Sequence, residues 1–224
     1  MRITDRPSPN SDDRGASVDM AILHYTGMQT AAAALDRLCD PVAKVSAHYV
    51  VEEDGAVWRL VAEESRAWHA GVSHWAGATD INARSVGIEI VNPGHEFGYR
   101  SFPEAQMAAV EELLGGIVAR HRIAAARVVG HSDVAPSRKQ DPGELFDWPR
   151  LARAGFAIWP DKMPETAPPL SDVPALLARI GYDPDAPLAD VVAAFQRRFV
   201  RDAVSGEADD RTRRTIAAVA ALQS

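Results

Sequence analysis

Apolar positions recur along this chain with two different periods, and each change of period marks the boundary of an element. MAILHY (Met20 to Tyr25) has the apolar density of a core strand, and the Ala-rich stretch GMQTAAAALDRLC predicts a helix after it. VSAHYVV (Val45 to Val51) and AVWRLV (Ala56 to Val61) flank EEDG, whose Asp54-Gly55 pair predicts a hairpin turn. SVGIEIVN (Ser85 to Asn92) reads as another buried strand. Ser101 and Glu104 in SFPE predict a capping box with Pro103 inside the first turn. Met107, Val110, Leu113, Leu114, Ile117 and Val118 then form a helical apolar stripe that runs to Arg120, and RVV (Arg127 to Val129) returns to the strand pattern. Strands interleaved with helices in this order predict an α/β domain around one mixed central β-sheet flanked by helices. Residues 1–20 read as an irregular lead-in.

The pattern shifts at Trp159. WPDKMPETAPPLSDVP carries five prolines in sixteen residues, which predicts an extended linker that cannot continue a helix. Three short helical patterns follow: VPALLARIGY, APLADVVAAFQRRFV and DRTRRTIAAVAAL. The second places Leu188, Val191, Val192, Phe195 and Phe199 on one side. The predicted division is therefore a lead-in over 1–20, a main domain over 21–157, a linker over 158–170 and a small three-helix domain over 171–224. Pattern alone does not choose between a separate bundle and helices packed on the first domain.

Composition narrows the function. The 224 residues suffice for one large and one small domain, and 46% hydrophobic with 25% charged residues is ordinary for a globular protein. Net charge is −7 and the Lys and Arg residues are dispersed, which argues against a nucleic-acid surface. The single cysteine, Cys39, excludes an internal disulfide framework and a multi-thiolate metal site, and reads as a helix-face residue. No apolar run reaches the length of a membrane span, and MRITDRPSPNSDDRGASVDM holds no apolar signal segment. The expected compartment is the cytoplasm, with the periplasm as the alternative if a leader has been removed. Oligomeric state is not legible.

The chemistry concentrates in GHSDVAPSRKQDPG (Gly130 to Gly143). It directly follows RVV, so His131 stands at the end of a buried strand, where open α/β sheets place ligands. His24 ends the MAILHY strand, so two imidazoles can meet at one rim. A zinc site that activates water has three nitrogen or oxygen ligands and one open position. Asp133 or Asp141 completes such a set, and spacing does not choose between them. His131-Ser132-Asp133 is also the H-x-D half of a non-haem iron triad, but the second histidine of such a triad lies downstream, and none follows His131. Glu89 is a carboxylate inside the apolar GIEI, costly to bury unless paired or functional. Lys139 stands two residues before Asp141.

ILHYT, SAHYVV followed by DG, AWHAG, SVGIEIVN and GHSDVAPSRKQDPG, in that order, resemble the zinc-dependent N-acetylmuramoyl-L-alanine amidases of the amidase-2 family, relatives of the peptidoglycan recognition proteins. The resemblance covers about Ala21 to Leu151. It implies that fold, with one zinc ion held by His24, His131 and Asp141, Glu89 as the catalytic carboxylate and Lys139 as the cation that offsets charge on the oxyanion. The implied substrate is a muropeptide or peptidoglycan fragment, cut between N-acetylmuramic acid, including its 1,6-anhydro form, and L-alanine during wall recycling or turnover. Trp68, Trp75, His69, Asn82 and Arg138 are candidates to contact that substrate, His69 equally a loop-shaping residue. His48 reads as a strand-packing histidine, and His74, His95 and His121 as surface or packing residues. ARIGY, VVAAFQRRF and GEADDRT resemble the three-helix peptidoglycan-binding domain, with its Asp-Gly turn replaced by SGEADD. Two other classes compete: a non-catalytic muropeptide-binding protein, and a zinc peptidase acting within the stem peptide.

Overall fold

The computed structural model describes residues 2–223. Its strands are β1 (Ile3–Asp5), β2 (Ser11–Asp13), β3 (Met20–Tyr25), β4 (Tyr49–Val51), β5 (Val57–Arg59), β6 (Ser65–Ala67), β7 (Ser85–Ile90) and β8 (Val128–Gly130). Its α-helices are α1 (Ala31–Cys39), α2 (Ile81–Arg84), α3 (Gly94–Phe97), α4 (Glu104–His121), α5 (His131–Val134), α6 (Trp148–Arg153), α7 (Val173–Ile180), α8 (Leu188–Phe199) and α9 (Asp210–Ala221). Among the described residues the strands form a six-stranded mixed sheet in the order β1-β5-β4-β7-β3-β8 and a two-stranded ribbon of β2 with β6. The hairpin expected at Asp54-Gly55 joins β4 and β5, the antiparallel pair in the large sheet.

The lead-in is not irregular. Ile3–Asp5 pairs parallel to β5 at the sheet edge, and Ser11–Asp13 pairs antiparallel to β6. These three-residue strands are largely exposed, so they carry no apolar period to read. The capping box expected at Ser101 and Glu104 is also absent. Pro103 is the N-cap of α4, and no side chain caps it. Thr30, by contrast, caps α1 by accepting from the Ala33 N–H at 3.2 Å.

Alternation along β3 and β7 separates the two faces of the sheet. Ala21, Leu23, Val86, Ile88 and Ile90 pack with Met107, Val110, Leu114 and Ile117 of α4, an apolar layer that also takes in Phe146 and Trp148. On the opposite face Met20 and Ile22 join Val129 and Val134, and this cluster continues without a break into Leu177, Ile180, Tyr182, Val192, Phe195, Ile216 and Val219 of the C-terminal helices. Those helices are docked on the sheet domain, and the Pro-rich stretch only carries the chain between them. Trp75, expected from the Trp- and His-rich loop to line a groove, is 2% exposed and meets Tyr182 edge-on at 5.0 Å, so it belongs to this junction and not to a groove. The faces matter because His24, Ser85, Gly87 and Glu89 share the parity of Met20 and Ile22. Polar residues in these apolar strands thus fall on one face, with His24 and Glu89 near the C-terminal ends of β3 and β7.

Candidate metal and hydrolytic centre

Register alone assembles most of the site. His24 is paired with Glu89 across β3 and β7, and Leu23 with Gly130 across β3 and β8, so His131 begins α5 beside His24. The loop after α5 brings Asp141 back, tied by the Ser132 N–H donating to the Asp141 carbonyl at 2.8 Å. Gly130 is required here: a Cβ on it would lie 2.7 Å from Pro142 Cδ. Tyr99 fixes the far end of the same loop, donating to the Pro142 carbonyl at 2.7 Å and accepting from the Leu145 N–H at 2.9 Å.

The result is a compact triad. His24 Nδ1 and His131 Nδ1 are 2.9 Å apart, and each lies 3.0 Å from Asp141 Oδ2. All three side chains are buried, and they form a group of ligand atoms that can hold a metal ion. Burial, then the neighbouring His131, lowers the His24 pKa to about 4, although Asp141 opposes the shift. His131 Nε2 lies 3.1 Å from the Ala70 carbonyl, which only accepts, so Nε2 carries a proton and, in the neutral ring, the Nδ1 lone pair faces the triad. A lone pair, a second imidazole nitrogen and a carboxylate oxygen at this separation fit a cation placed among them. Asp133, the alternative to Asp141, points away from the triad, accepting from Tyr182 and Arg198.

Glu89 and Lys139 line the same cleft of about 520 Å³, with Tyr25, Arg37, Trp68 and Arg138 around its walls. Glu89 opens partly to the cleft, while its Oε2 is enclosed and has no hydrogen-bond partner among the described residues. Burial and then the nearby Asp141 charge push its pKa well above the carboxylate range, with Lys139 opposing. A carboxyl group so placed holds a proton more readily than a solvated one does.

The other candidates separate. Trp68 lines the cleft with its Nε1 unpartnered among the described residues, and Arg138 lines it while donating to the Ala70 carbonyl at 3.1 Å and to the Val72 carbonyl. His69 reaches the cleft, but its ring nitrogens are spent on His24 and Ser85. Asn82 is not part of the cleft wall. Its Oδ1 accepts from the His69 and Ala70 N–H groups at 3.1 and 2.8 Å, so it shapes the loop from behind. His48 packs in the sheet as expected, accepting from the Gly87 N–H at 2.9 Å, with burial lowering its pKa to about 3. Arg37 was not among the sequence candidates. It is an exposed cation next to the buried Leu38 of α1, a pattern shared by most amphipathic helices, and nothing local marks it as cleft-lining.

The sequence that carries this geometry matches a known family. Residues 14–144 match the family of N-acetylmuramoyl-L-alanine amidases. The chain belongs to that family. It is 37% identical over 222 residues to the N-acetylmuramoyl-L-alanine amidase AmiD of Escherichia coli, covering 87% of this chain and 79% of that protein. The solved complex of Escherichia coli AmiD with anhydro-N-acetylmuramic acid-L-Ala-D-γ-Glu-L-Lys superposes with a TM-score of 0.81 at 35% identity, over 93% of this chain and 91% of that one. AmpDH3 of Pseudomonas aeruginosa in complex with an anhydromuramic pentapeptide gives 0.82 at 31% identity, over 95% and 94%. The present amidase therefore shares the mixed-sheet fold of those enzymes along nearly its full length, the docked C-terminal helices included. No helix among its described residues is long and apolar enough to cross a membrane.

Proposed function

We propose that this amidase hydrolyses the bond between the lactyl carbonyl of N-acetylmuramic acid, including its 1,6-anhydro form, and L-alanine in muropeptides, using one zinc ion held by His24, His131 and Asp141. The observation that carries the proposal is the register pairing of His24 with Glu89, which sets a carboxyl group beside the three-ligand cluster, with Glu89, His131 and Asp141 lining one cleft. Two nitrogens and one carboxylate oxygen suit zinc and leave a position open. Zinc bound there supplies Lewis acidity, lowering the pKa of a water and polarising the scissile carbonyl.

The remaining work falls to the chain. Glu89 takes the proton from the attacking water and delivers it to the departing alanine nitrogen as the C–N bond breaks and the new C–O bond leaves a carboxylate. Its raised proton affinity suits a group that must keep the proton between those two events. The Lys139 ammonium faces the same cleft and offsets charge developing on the carbonyl oxygen. Trp68 offers an aromatic wall and Arg138 a cation to the muropeptide.

A digest of purified muropeptides read by mass spectrometry tests the reaction. Release of the intact stem peptide from the sugar is expected. A shortened stem would make the protein a peptidase, and no release would make it a binding protein. Glu89→Gln should retain zinc and lose about 10²- to 10⁴-fold in turnover. Such a reaction on soluble fragments belongs to wall recycling, with the cytoplasm as the proposed compartment. Fractionation of cells expressing the native gene checks this, and enzyme recovered in the periplasm would overturn it.

A further inference from the structure

The outward nitrogens of both metal-cluster histidines end on one dipeptide. His24 Nε2 lies 3.1 Å from His69 Nδ1, and His131 Nε2 lies 3.1 Å from the carbonyl of Ala70. We infer that His69-Ala70 is the orienting element of the metal site, presetting both imidazoles with Nε2 protonated and Nδ1 free, so that His69 is a positioning residue and not a substrate contact. The inference rests on the metal reading of the triad given above.

For Ala70 the chemistry allows one direction, since a carbonyl only accepts. For His69 the direction follows from what lies behind it. The Ser85 hydroxyl donates its single proton to the Ile81 carbonyl at 2.6 Å, so Ser85 Oγ, 3.3 Å from His69 Nε2, can only accept from it. His69 therefore carries its proton on Nε2 and has a lone pair on Nδ1. That lone pair obliges His24 to donate from Nε2, which frees His24 Nδ1 towards Asp141 and His131. Donation runs from His24 to His69, from His69 to Ser85 and from Ser85 to the Ile81 carbonyl, each step with a defined sense. Such partners behind a ligating histidine set its tautomer and ring orientation.

Two further features are built for this arrangement. The His69 ring lies flat against Gly87 of β7, where a Cβ would come 2.5 Å from His69 Cγ, so glycine is the residue that lets the ring reach His24. Asn82 Oδ1 accepts from both N–H groups of the dipeptide and so fixes the side chain of His69 and the carbonyl of Ala70 together. His69 is buried, as are Ser85 and Asn82.

The test compares His69→Phe, which keeps a ring but removes the acceptor, with His69→Asn, whose Oδ1 takes the place of Nδ1. Zinc affinity is measured by competition with a chromogenic chelator, a reading independent of amidase activity. His69→Phe should weaken zinc binding by about 10- to 100-fold, with His69→Asn recovering most of the loss. Nitrogen chemical shifts of the metal-free wild type should show His24 with its proton on Nε2. A folded His69→Phe that binds zinc as tightly as wild type would overturn the proposal. So would a His24 protonated on Nδ1 in the wild type, a reading that decides the matter even if the Phe variant does not fold. A wild type that binds no zinc at all would instead overturn the metal reading itself.

Discussion

Arg198 in α8 donates from Nη1 to Asp133 Oδ2 at 3.0 Å, and the two side chains are 3% and 1% exposed. Asp133 stands two residues after His131 in the same short helix. Its Oδ1 accepts from the Tyr182 hydroxyl at 2.6 Å, and its Oδ2 also accepts from the Gly130 N–H at 2.8 Å. The guanidinium lies 4.1 Å over the Trp148 ring. The C-terminal helices thus complete the hydrogen bonding of the turn that presents His131 to the candidate metal site.

Removing Arg198 should therefore be severe. Arg198→Met leaves a buried carboxylate without its cation and is expected to cost about 3–5 kcal/mol in urea denaturation. Arg198→Met combined with Asp133→Asn should be less damaging than the two single losses added together. Ending the chain at Pro168 should give an aggregating product, because Met20, Ile22, Trp75, Val129 and Val134 lose their apolar cover. A soluble, active truncation would show the sheet domain to be self-sufficient.

Glu63 governs acid stability at the other end of the sheet. It accepts from Tyr49 at 2.7 Å and from Arg120 at 2.6 Å, and pairs with His121 at 2.5 Å. Burial opposes the charge, but these donors lower its pKa from 4.5 to about 2. Because the folded value is depressed, its stabilisation is present above about pH 4.5 and is lost as pH falls towards 2. Glu63→Gln should destabilise the protein at neutral pH by roughly 1–3 kcal/mol and flatten the acid limb of its stability curve.

Glu89 should behave in the opposite sense. Its folded pKa is raised, so the stability it contributes is present below its ordinary value and is lost as pH rises. In metal-free protein Glu89→Gln should therefore raise the midpoint of thermal unfolding at pH 7 to 8 while turnover of the zinc-loaded enzyme collapses. An unchanged or lowered midpoint would mean that the carboxylate is well solvated in the cleft.

Chelation should abolish activity, and added zinc should restore it. Far-UV circular dichroism should change little, because the apolar layer between the sheet and α4 forms without any ligand residue. His131→Ala should lower zinc occupancy in the purified protein, as two ligands make a poor site. Full activity in protein verified to be free of metal would exclude the metal mechanism.

Much of this was legible in the order of residues. The apolar runs around His24, Glu89 and Val129 are long enough to declare buried strands, and a carboxylate inside GIEI stands out because burying it is costly. The motifs also carried the family resemblance and the triad of His24, His131 and Asp141. Short exposed strands such as Ile3–Asp5 left no trace, since three exposed residues have neither an apolar face nor a turn signal. The roles of Asn82, Trp75 and Asp133 were equally hidden. Each is polar or aromatic in a loop-rich stretch, and its partner lies far along the chain or behind the site. Only the folded packing decided that the helices beyond the Pro-rich stretch share one core with the sheet, because an amphipathic face in sequence says that it must be covered but not by what. The register of β3 between β7 and β8 then set which histidine meets which carboxylate, a matter of backbone pairing that no local pattern encodes.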